Sequence, residues 1–273
     1  MGIKQYIPTP LKQLVRNYLD GATWRGQPKL VFDNSKLRAM EQSDIDGAMQ
    51  NVQIAQEFAE DHAKISKVYS SGEIFGGVNP GDRRALYHLV SSLKPRRVLE
   101  IGTHVGASTL NIASALHRHG GTVLSADIVD VNAPDAAWKQ YGVSAPPIEL
   151  VAKLGLSDVV TFQAKPAEEI LGALNGFDFI FLDGDHSSSA VYREISAALR
   201  VLEPGGIILL HDYYPGGKPF VPGKSAIIGP VRAGQRIAKE NPGIRILPLG
   251  ELPWPTKDGT RFTSLAIVAA SKK

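Results

Sequence analysis

Ionisable side chains follow directly after two of the most apolar runs in the chain. The first run ends in the stretch FDFIFLDGDHSSS, residues 177–189, and the second in GIILLHD, residues 206–212. The ionisable residues that follow the two runs are Asp183, Asp185, His186, His211 and Asp212. Carboxylate and imidazole groups can accept a proton near neutral pH, and both can bind divalent cations. These positions are therefore either a chemical site or polar strand ends that cap the next helix.

A glycine-containing turn offers a second candidate site. In RRVLEIGTHVGAST, residues 96–109, Gly102 and Gly106 lie between an apolar run and a helical pattern. Such a turn lets a ligand approach the backbone, and the helix N-terminus can bind an anionic group. Asp127 ends the next apolar run, at the spacing expected of a carboxylate that accepts hydrogen bonds from ribose hydroxyls. A tight connection without a ligand is the alternative, and the third glycine of the dinucleotide motif is missing.

The elements that must position these residues alternate regularly from residue 82 onward. Short apolar strands are predicted at RRVLEIG, TVLSADI, VVTFQ, DFIFLD and GIILLHD, and amphipathic helices are predicted between them. The first helix, residues 82–93, is predicted to begin at Asp82 as its N-cap. Strands that are apolar throughout and alternate with helices predict a parallel sheet that is covered on both faces. The strands IRILPLG and TSLAIVAAS, near the end of the sequence, predict a hairpin-like closing pair.

The composition of the chain excludes several classes of site and partner. The chain has 273 residues, 43% of them hydrophobic, a formal net charge of +3 and no cysteine. Disulfides, thiolate metal sites and cysteine nucleophiles are thereby excluded. The absence of Lys/Arg-rich runs argues against nucleic acid as a partner, and MGIKQYIPTPLKQLVRNYLDG has no apolar block long enough for a membrane span. We therefore expect a cytoplasmic protein without membrane contact.

The pattern of residues 1–78 predicts a helical extension that forms part of a substrate pocket or of an oligomer contact.

The motifs VLEIGTHVGAST, SADIVD, FDFIFLDGDHS and LEPGGIILLHDYYP, taken in this order, resemble the class I S-adenosylmethionine-dependent methyltransferases. Within that class they resemble small-molecule O-methyltransferases of the catechol, caffeoyl-CoA and macrocin types, and cephalosporin-hydroxylase-like proteins. The resemblance covers roughly residues 79–270. It implies an α/β fold: a Rossmann-like, seven-stranded, mostly parallel sheet with helices on both faces and an antiparallel last strand. Residues 79–273 would then form the S-adenosylmethionine-binding domain.

The resemblance also implies roles for individual residues. Glu100, Gly102 and Gly106 would shape the turn under the methionine part of the cofactor, and Thr103 and Ser108 would bind its amino-acid end. Asp127 would hold the ribose, and Ala164, followed by Lys165, would contact the adenine. Asp183 would belong both to the cofactor site and to a metal site. The residues expected to bind cofactor are thus Glu100, Gly102, Thr103, Gly106, Ser108, Asp127, Ala164 and Asp183.

The same resemblance implies that the fourth and fifth strands are neighbours. Asp183, His211 and Asp212 would then form a divalent metal site, with Mg²⁺ favoured by the oxygen ligands and Mn²⁺ by the histidine. In the catechol type the second strand end reads Asp-Asn, whereas here Asp212 is followed by Tyr213. Asp185 or His186 is the expected general base. The alternative for Asp185 is the N-cap of the following helix, a role for which Ser187 to Ser189 compete.

The sequence therefore predicts an O-methyltransferase that transfers a methyl group from S-adenosylmethionine to a hydroxyl of a small molecule, assisted by a divalent metal. Two alternatives stay open: a hydroxylase-like or dehydrogenase-like Rossmann enzyme, and a non-catalytic relative that binds the cofactor. The expected partner is a small hydroxylated molecule, and the helical extension could support a homodimer.

Overall fold

Seven strands make up the sheet of the protein. The computed structural model describes residues 9–68 and 77–271, with side chains from residue 18 onward. The strands are β1 Arg97–Ile101, β2 Thr122–Asp127, β3 Val160–Ala164, β4 Phe177–Leu182, β5 Leu202–Leu210, β6 Ile244–Pro248 and β7 Ala266–Ala270. Their order in the sheet is β3-β2-β1-β4-β5-β7-β6. Each predicted strand corresponds to one of them; the central strands β1, β4 and β7 are mostly buried, and the edge strands β3 and β6 only partly so.

Ten α-helices surround this sheet within the described residues. They are α1 Thr9–Gly26, α2 Gln42–Met49, α3 Val52–Val68, α4 Pro80–Leu93, α5 Ala107–His117, α6 Ala137–Gln140, α7 Pro147–Lys153, α8 Ala167–Ala173, α9 Ser188–Val201 and α10 Gly229–Glu240. In the part of the chain that the structure describes, none of these helices combines the length and the apolar character that crossing a bilayer requires.

Strand directions confirm the predicted fold class. Strands β1 to β5 are parallel, and β7 lies between β5 and β6, antiparallel to both. The strand order reverses between β1 and β4, so the carboxyl ends of four parallel strands meet around this point. Open α/β sheets bind their ligands at such a reversal. The predicted neighbourhood of the fourth and fifth strands is also confirmed, with Leu182 paired to Leu210.

Alternate side chains of each central strand are buried in opposite layers. In β4, Phe179 and Phe181 belong to the apolar core that contains residues of α2, α3, α4 and α5. Ile180 and Leu182 belong to the core on the other face, which contains residues of α8, α9 and α10. The period of two along a strand thus produces three layers, helices on either side of one sheet.

The N-terminal part packs on both of these layers. Helices α2 and α3 contact α4 on one face, while Phe32 stacks edge-on against Tyr192 of α9 on the other, at 4.9 Å between ring centroids. Between them the chain crosses the sheet, with Leu37 bridging Gly206. The stretch DIDGAMQNVQIAQEFAEDHAKI, predicted as helical, is two helices that separate at residues 50 and 51. Residues 1–8 and 69–76 of the predicted extension lie outside the described residues, and its role stays a prediction.

Candidate functional site

A cavity of about 630 Å³ lies at the carboxyl ends of β1, β2, β4 and β5. This volume is within the range of roughly 300–1,000 Å³ typical of small-molecule sites. Its lining includes residues at or shortly after the ends of these strands, among them Gly102, Asp127, Asp183, Asp185, His186 and Asp212. Two candidate sites of the sequence, the glycine turn and the acidic strand ends, therefore share one cavity.

Gly102 makes the turn after β1 possible in two ways. Its φ is +100°, a backbone conformation that other residues rarely adopt. A Cβ atom at this position would lie 2.2 Å from the carbonyl oxygen of Asp183. The missing side chain thus allows the main chain after β4 to lie directly against the turn after β1. The turn and the acidic loop consequently support each other.

Gly106 is the N-cap of α5 and has a φ of +76°. A Cβ atom here would contact Pro147 of α7 at 3.0 Å. Gly106 therefore allows α5 and α7 to approach each other closely.

Glu100 lies beneath the glycine turn and is fully buried. Its Oε2 accepts hydrogen bonds from Thr109 Oγ1 at 2.5 Å and Ser125 Oγ at 2.6 Å. Burial raises the pKa of Glu100 to about 7, although the neighbouring hydroxyl groups act to lower it. Thr103 is also part of this cluster, since its Oγ1 is 2.7 Å from Ser125 Oγ. These side chains support the turn from behind.

The predicted contacts of Thr103 and Ser108 with the cofactor receive no direct support from this arrangement. Both side chains are almost completely buried, and neither residue lines the cavity, whereas Gly102 and His104 do. His104 has a φ of +50°, and its backbone N–H donates to Asp127 Oδ2 at 2.9 Å. His104 was not identified from the sequence. Glycine is the residue that strongly indicates a left-handed turn position, and histidine does not.

Asp127 lies on the cavity wall, at the end of β2. Its second carboxylate oxygen accepts a hydrogen bond from Val129 N at 3.3 Å, so two backbone donors hold the side chain at the cavity. Ala164 pairs with Asp127 across the strands, yet the residues of this segment that line the cavity are the following ones, Lys165 to Glu168. Ala164 itself does not line the cavity, and its predicted contact with adenine stays a prediction.

His211 lies between carboxylates. Its Nδ1 donates to Asp183 Oδ1 at 2.8 Å, and its Nε2 is 3.3 Å from Asp82 Oδ2. Burial alone would lower the pKa of His211, but the negative charges of Asp183 and Asp212 raise it well above its ordinary value. Both ring nitrogens of His211 thus lie next to carboxylates, and its role as a metal ligand stays a prediction.

Asp82 is the residue of this network that sequence reasoning assigned wrongly. It was predicted as the N-cap of α4, but the N-cap is Asn79, whose side chain accepts from Asp82 N, and Pro80 is the first helical residue. Asp82 is fully buried instead, and Thr263 Oγ1 donates to its Oδ1 at 2.6 Å. Because Thr263 and His211 are far from Asp82 in sequence, no local pattern could have indicated these contacts.

One ligand atom each from Asp183, His186 and Asp212 lies within 4.8 Å of the others. His186 thus occupies the position that the sequence assigned to His211. Asp212 has a φ of +53°, a conformation that aspartate tolerates better than most residues, and its Oδ2 is 3.7 Å from His186 Nε2. Two carboxylates and a histidine form a donor set that suits Mg²⁺ or Mn²⁺.

The loop between β4 and α9 combines the two roles considered for it. Ser187 is the N-cap of α9, since its side chain accepts from Ala190 N, as one alternative predicted. Asp185 is exposed and accepts a hydrogen bond from Ser187 N at 2.8 Å. From the N-terminal part, Asp20 binds both the backbone N–H and the hydroxyl of Ser188 at 2.6 Å. The helix cap and the cavity-lining side chains are thus neighbouring residues of one loop.

Residues 99–213 match a family model described as a methyltransferase domain. A caffeoyl-CoA O-methyltransferase from Populus kitakamiensis is 32% identical over 144 residues, which are 50% of this chain and 55% of that protein. A catechol O-methyltransferase from Mycobacterium tuberculosis is 27% identical over 164 residues, 57% of this chain and 66% of that protein. An O-methyltransferase structure from Bacillus cereus, in complex with SAH, has a TM-score of 0.51 at 22% identity, covering 85% of this chain and 96% of that chain. The chain spans about half the length of the curated relatives it matches.

Proposed function

We propose that this chain transfers a methyl group from S-adenosylmethionine to a hydroxyl group of a small molecule. The match of residues 99–213 to a methyltransferase-domain model agrees with the resemblance found in the sequence. The observation that carries the proposal is the shared cavity. It joins the glycine turn and Asp127 to a cluster of proton-accepting and metal-binding side chains at the ends of β4 and β5. A cofactor on the first part and an acceptor on the second would be neighbours.

The cofactor supplies an electrophilic methyl group bonded to a sulfonium sulfur. The chain has to hold the acceptor oxygen in line with that methyl group and receive the hydroxyl proton. The bond from carbon to oxygen then forms as the bond from carbon to sulfur breaks, and the sulfur keeps the electron pair. Asp127 would bind the ribose, and the backbone around Gly102 would face the methionine part. Glu100 would act indirectly, by supporting the glycine turn that faces the cofactor.

We further propose a divalent ion, Mg²⁺ by preference, at Asp183, His186 and Asp212. Bound there, such an ion would lower the pKa of an acceptor hydroxyl and fix its oxygen. The chemistry of the donor set fits, because two carboxylates compensate the charge of the ion and each residue offers one ligand atom. His211, held between Asp183 and Asp82, would orient Asp183 for this role.

Two side chains of the loop after β4 can receive the proton. His186 can do so only when its ring is not bound to an ion. Asp185 lies at the cavity with one carboxylate oxygen bound to Ser187 N, so its other oxygen can accept a proton. We assign the role of base to Asp185 when the ion is present and to His186 when it is absent.

The names of the two relatives, for caffeoyl-CoA and catechol, support a hydroxylated small molecule as the acceptor. Next to the metal-binding residues, Lys257 lines the cavity, and its Nζ is 3.3 Å from the hydroxyl of Tyr214. Tyr214 in turn contacts Phe220 at 5.0 Å between ring centroids. A cytoplasmic location and a homodimer stay predictions.

Calorimetry tests the proposal in two titrations, one with S-adenosylhomocysteine and one with Mn²⁺ as the probe metal. We expect the wild-type protein to bind both. Asp183→Asn should weaken Mn²⁺ binding at least tenfold, and the matched control Asp158→Asn, at an exposed position, should change neither titration. Absence of S-adenosylhomocysteine binding would refute the methyltransferase function. Mn²⁺ affinity that is equal in wild type and Asp183→Asn would refute the metal site alone.

A further inference from the structure

Glu194 of α9 is a buried carboxyl group that the mechanism above does not use. Its residue is 6% exposed, and it lines the main cavity. One of its carboxyl oxygens lies 3.9 Å from the point where a Cβ atom of Gly184 would be. Glu194 also borders a second cavity of about 10 Å³, next to His186 and His211. The side chain therefore lies behind the loop that follows β4 and reaches the ligand space.

Among the described residues, Glu194 has neither a hydrogen-bond partner nor an ion-pair partner. The neighbouring Arg193 is directed to Glu168, with 3.3 Å between Nε and Oε1. Although the residue as a whole is buried, its carboxyl group faces the main cavity rather than a protein partner. For a group in this position, a bound ligand is the simplest source of the missing partner.

The charges around Glu194 determine its protonation. Burial, the largest effect, and the negative charge of Asp185 raise the pKa of Glu194 to about 8, and Glu168 acts in the same direction. Arg193 acts to lower this pKa. The other titratable groups that line the two cavities are His104, Asp127, Tyr141, Lys165, Asp183, His186, His211, Asp212 and Lys257. At neutral pH the side chain is consequently a carboxylic acid, with an O–H donor beside a carbonyl acceptor.

A ligand that matches this pair must offer an acceptor beside a donor. Adenine has this pattern, because a ring nitrogen lies next to the 6-amino group. Lys165 to Glu168, which follow β3, line the same cavity as Glu194, and Asp127 lies at the end of the adjacent strand. A nucleoside whose ribose is bound by Asp127 can therefore extend its base toward this end of the cavity.

We propose that the carboxyl group of Glu194 recognises the nucleobase of the cofactor, donating a hydrogen bond to a ring nitrogen of adenine and accepting one from its 6-amino group. This inference rests on the proposed function, since it assumes an adenosyl cofactor in the cavity. Glu194 would then be a specificity-determining residue, supplied by α9 rather than by a strand end. Its chemistry favours adenine over a base that lacks the amino group.

The experiment is calorimetry with S-adenosylhomocysteine at pH 7 on the wild type and three variants. Glu194→Gln keeps a donor beside an acceptor and should bind within about twofold of the wild type. Glu194→Leu removes both and should bind about tenfold more weakly, the equivalent of one or two hydrogen bonds. Glu169→Gln, at an exposed position of α8, is the matched control and should bind like the wild type.

Two further measurements separate recognition from a structural role. An analogue of S-adenosylhomocysteine with hydrogen in place of the 6-amino group should bind several-fold more weakly to the wild type, but as well as the parent compound to Glu194→Leu. Wild-type affinity should also be constant below pH 8 and fall above it, while Glu194→Gln should show no such fall.

Two results would overturn the role of Glu194 and leave the methyltransferase function intact. One is an affinity for S-adenosylhomocysteine that is equal in the wild type and Glu194→Leu. The other is that replacing S-adenosylhomocysteine by the analogue weakens binding equally in the wild type and Glu194→Leu. A wild type that does not bind S-adenosylhomocysteine would overturn both. If Glu194→Leu does not fold, Glu194→Gln decides, because weak or pH-dependent binding by that variant contradicts the inference.

Discussion

Replacing Gly102 by alanine should damage the site more than any other single methyl group placed in the glycine turn. The residue has a φ of +100°, and the added Cβ would lie 2.2 Å from the carbonyl oxygen of Asp183. Carbon and oxygen atoms that are not bonded rarely come closer than about 3 Å. The two strand ends must therefore move apart by several tenths of an ångström, and the acidic loop must move with them.

The expected cost has two parts. An alanine in a left-handed backbone conformation costs about 1–2 kcal/mol, and overpacking a well-filled site costs about 1–3 kcal/mol more. We therefore expect Gly102→Ala to lower the free energy of unfolding by about 3 kcal/mol. For a domain of this size each kcal/mol changes the midpoint of thermal unfolding by about 2–4 °C, which predicts a decrease of roughly 6–12 °C.

Gly120 provides the control for this experiment. Its φ is +83°, but a Cβ atom there would have no neighbour within 4 Å, so Gly120→Ala measures the backbone cost alone. Scanning calorimetry and urea unfolding should show a loss about twice as large for Gly102→Ala as for Gly120→Ala. S-adenosylhomocysteine binding should weaken only in the former. Equal losses in the two variants would refute the close approach of the loop after β4 as the reason for this glycine.

Three further predictions concern other parts of the fold. Gly229→Ala should reduce Mn²⁺ affinity more than S-adenosylhomocysteine affinity in calorimetry, because its Cβ would meet the backbone oxygen of His186; equal losses would contradict this. Asp61→Asn should destabilise the protein by about 2 kcal/mol at pH 7 in urea unfolding. Burial acts to raise the pKa of Asp61, but hydrogen bonds from Arg118 and others lower it below the ordinary value of 3.8. The loss should therefore shrink as the pH falls below about 4, because the unfolded chain takes up the proton before the folded carboxylate does. The pKa of Glu100 is raised from 4.5 to about 7. Its contribution to wild-type stability should therefore decrease by about 3 kcal/mol as the pH rises from about 4.5 to about 7. Glu100→Gln should lack this dependence, and parallel profiles of stability against pH for the wild type and this variant would contradict the assignment.

Much of the fold could be predicted because its signals are local. Strands β1, β2, β4 and β5 are short apolar runs with helical patterns between them, and this combination specifies a covered parallel sheet. The edge that carries the polar residues follows from the parallel direction of the strands. The start of α4 was misplaced although Asn79 and Pro80 are the residues expected at the first positions of a helix, because Asp82 is an equally acceptable cap in sequence.

The arrangement of side chains at the site could not be predicted in the same way. His186 and His211 each follow an apolar run, and both line the cavity. Nothing in the sequence indicates which ring forms a cluster of ligand atoms with Asp183 and Asp212 and which is held between Asp183 and Asp82. The position of His211 depends on Asp82, which also contacts Thr263, and these residues are far apart in sequence. Glu194 escaped notice for a related reason, since a glutamate in an amphipathic helix is expected on the exposed face.

The contacts of the N-terminal part with the rest of the domain suggest where the chain could be cut into two fragments that reassemble. Leu37 bridges Gly206 and Ala39 bridges Ala270, α2 and α3 contact α4, and Phe32 contacts Tyr192. A protein cut once between residues 68 and 77 would keep all of these contacts across the two pieces. We therefore expect two separately produced fragments, 1–72 and 73–273, to reassemble when mixed, as a split protein whose reconstitution could report on the binding of a ligand at the cavity.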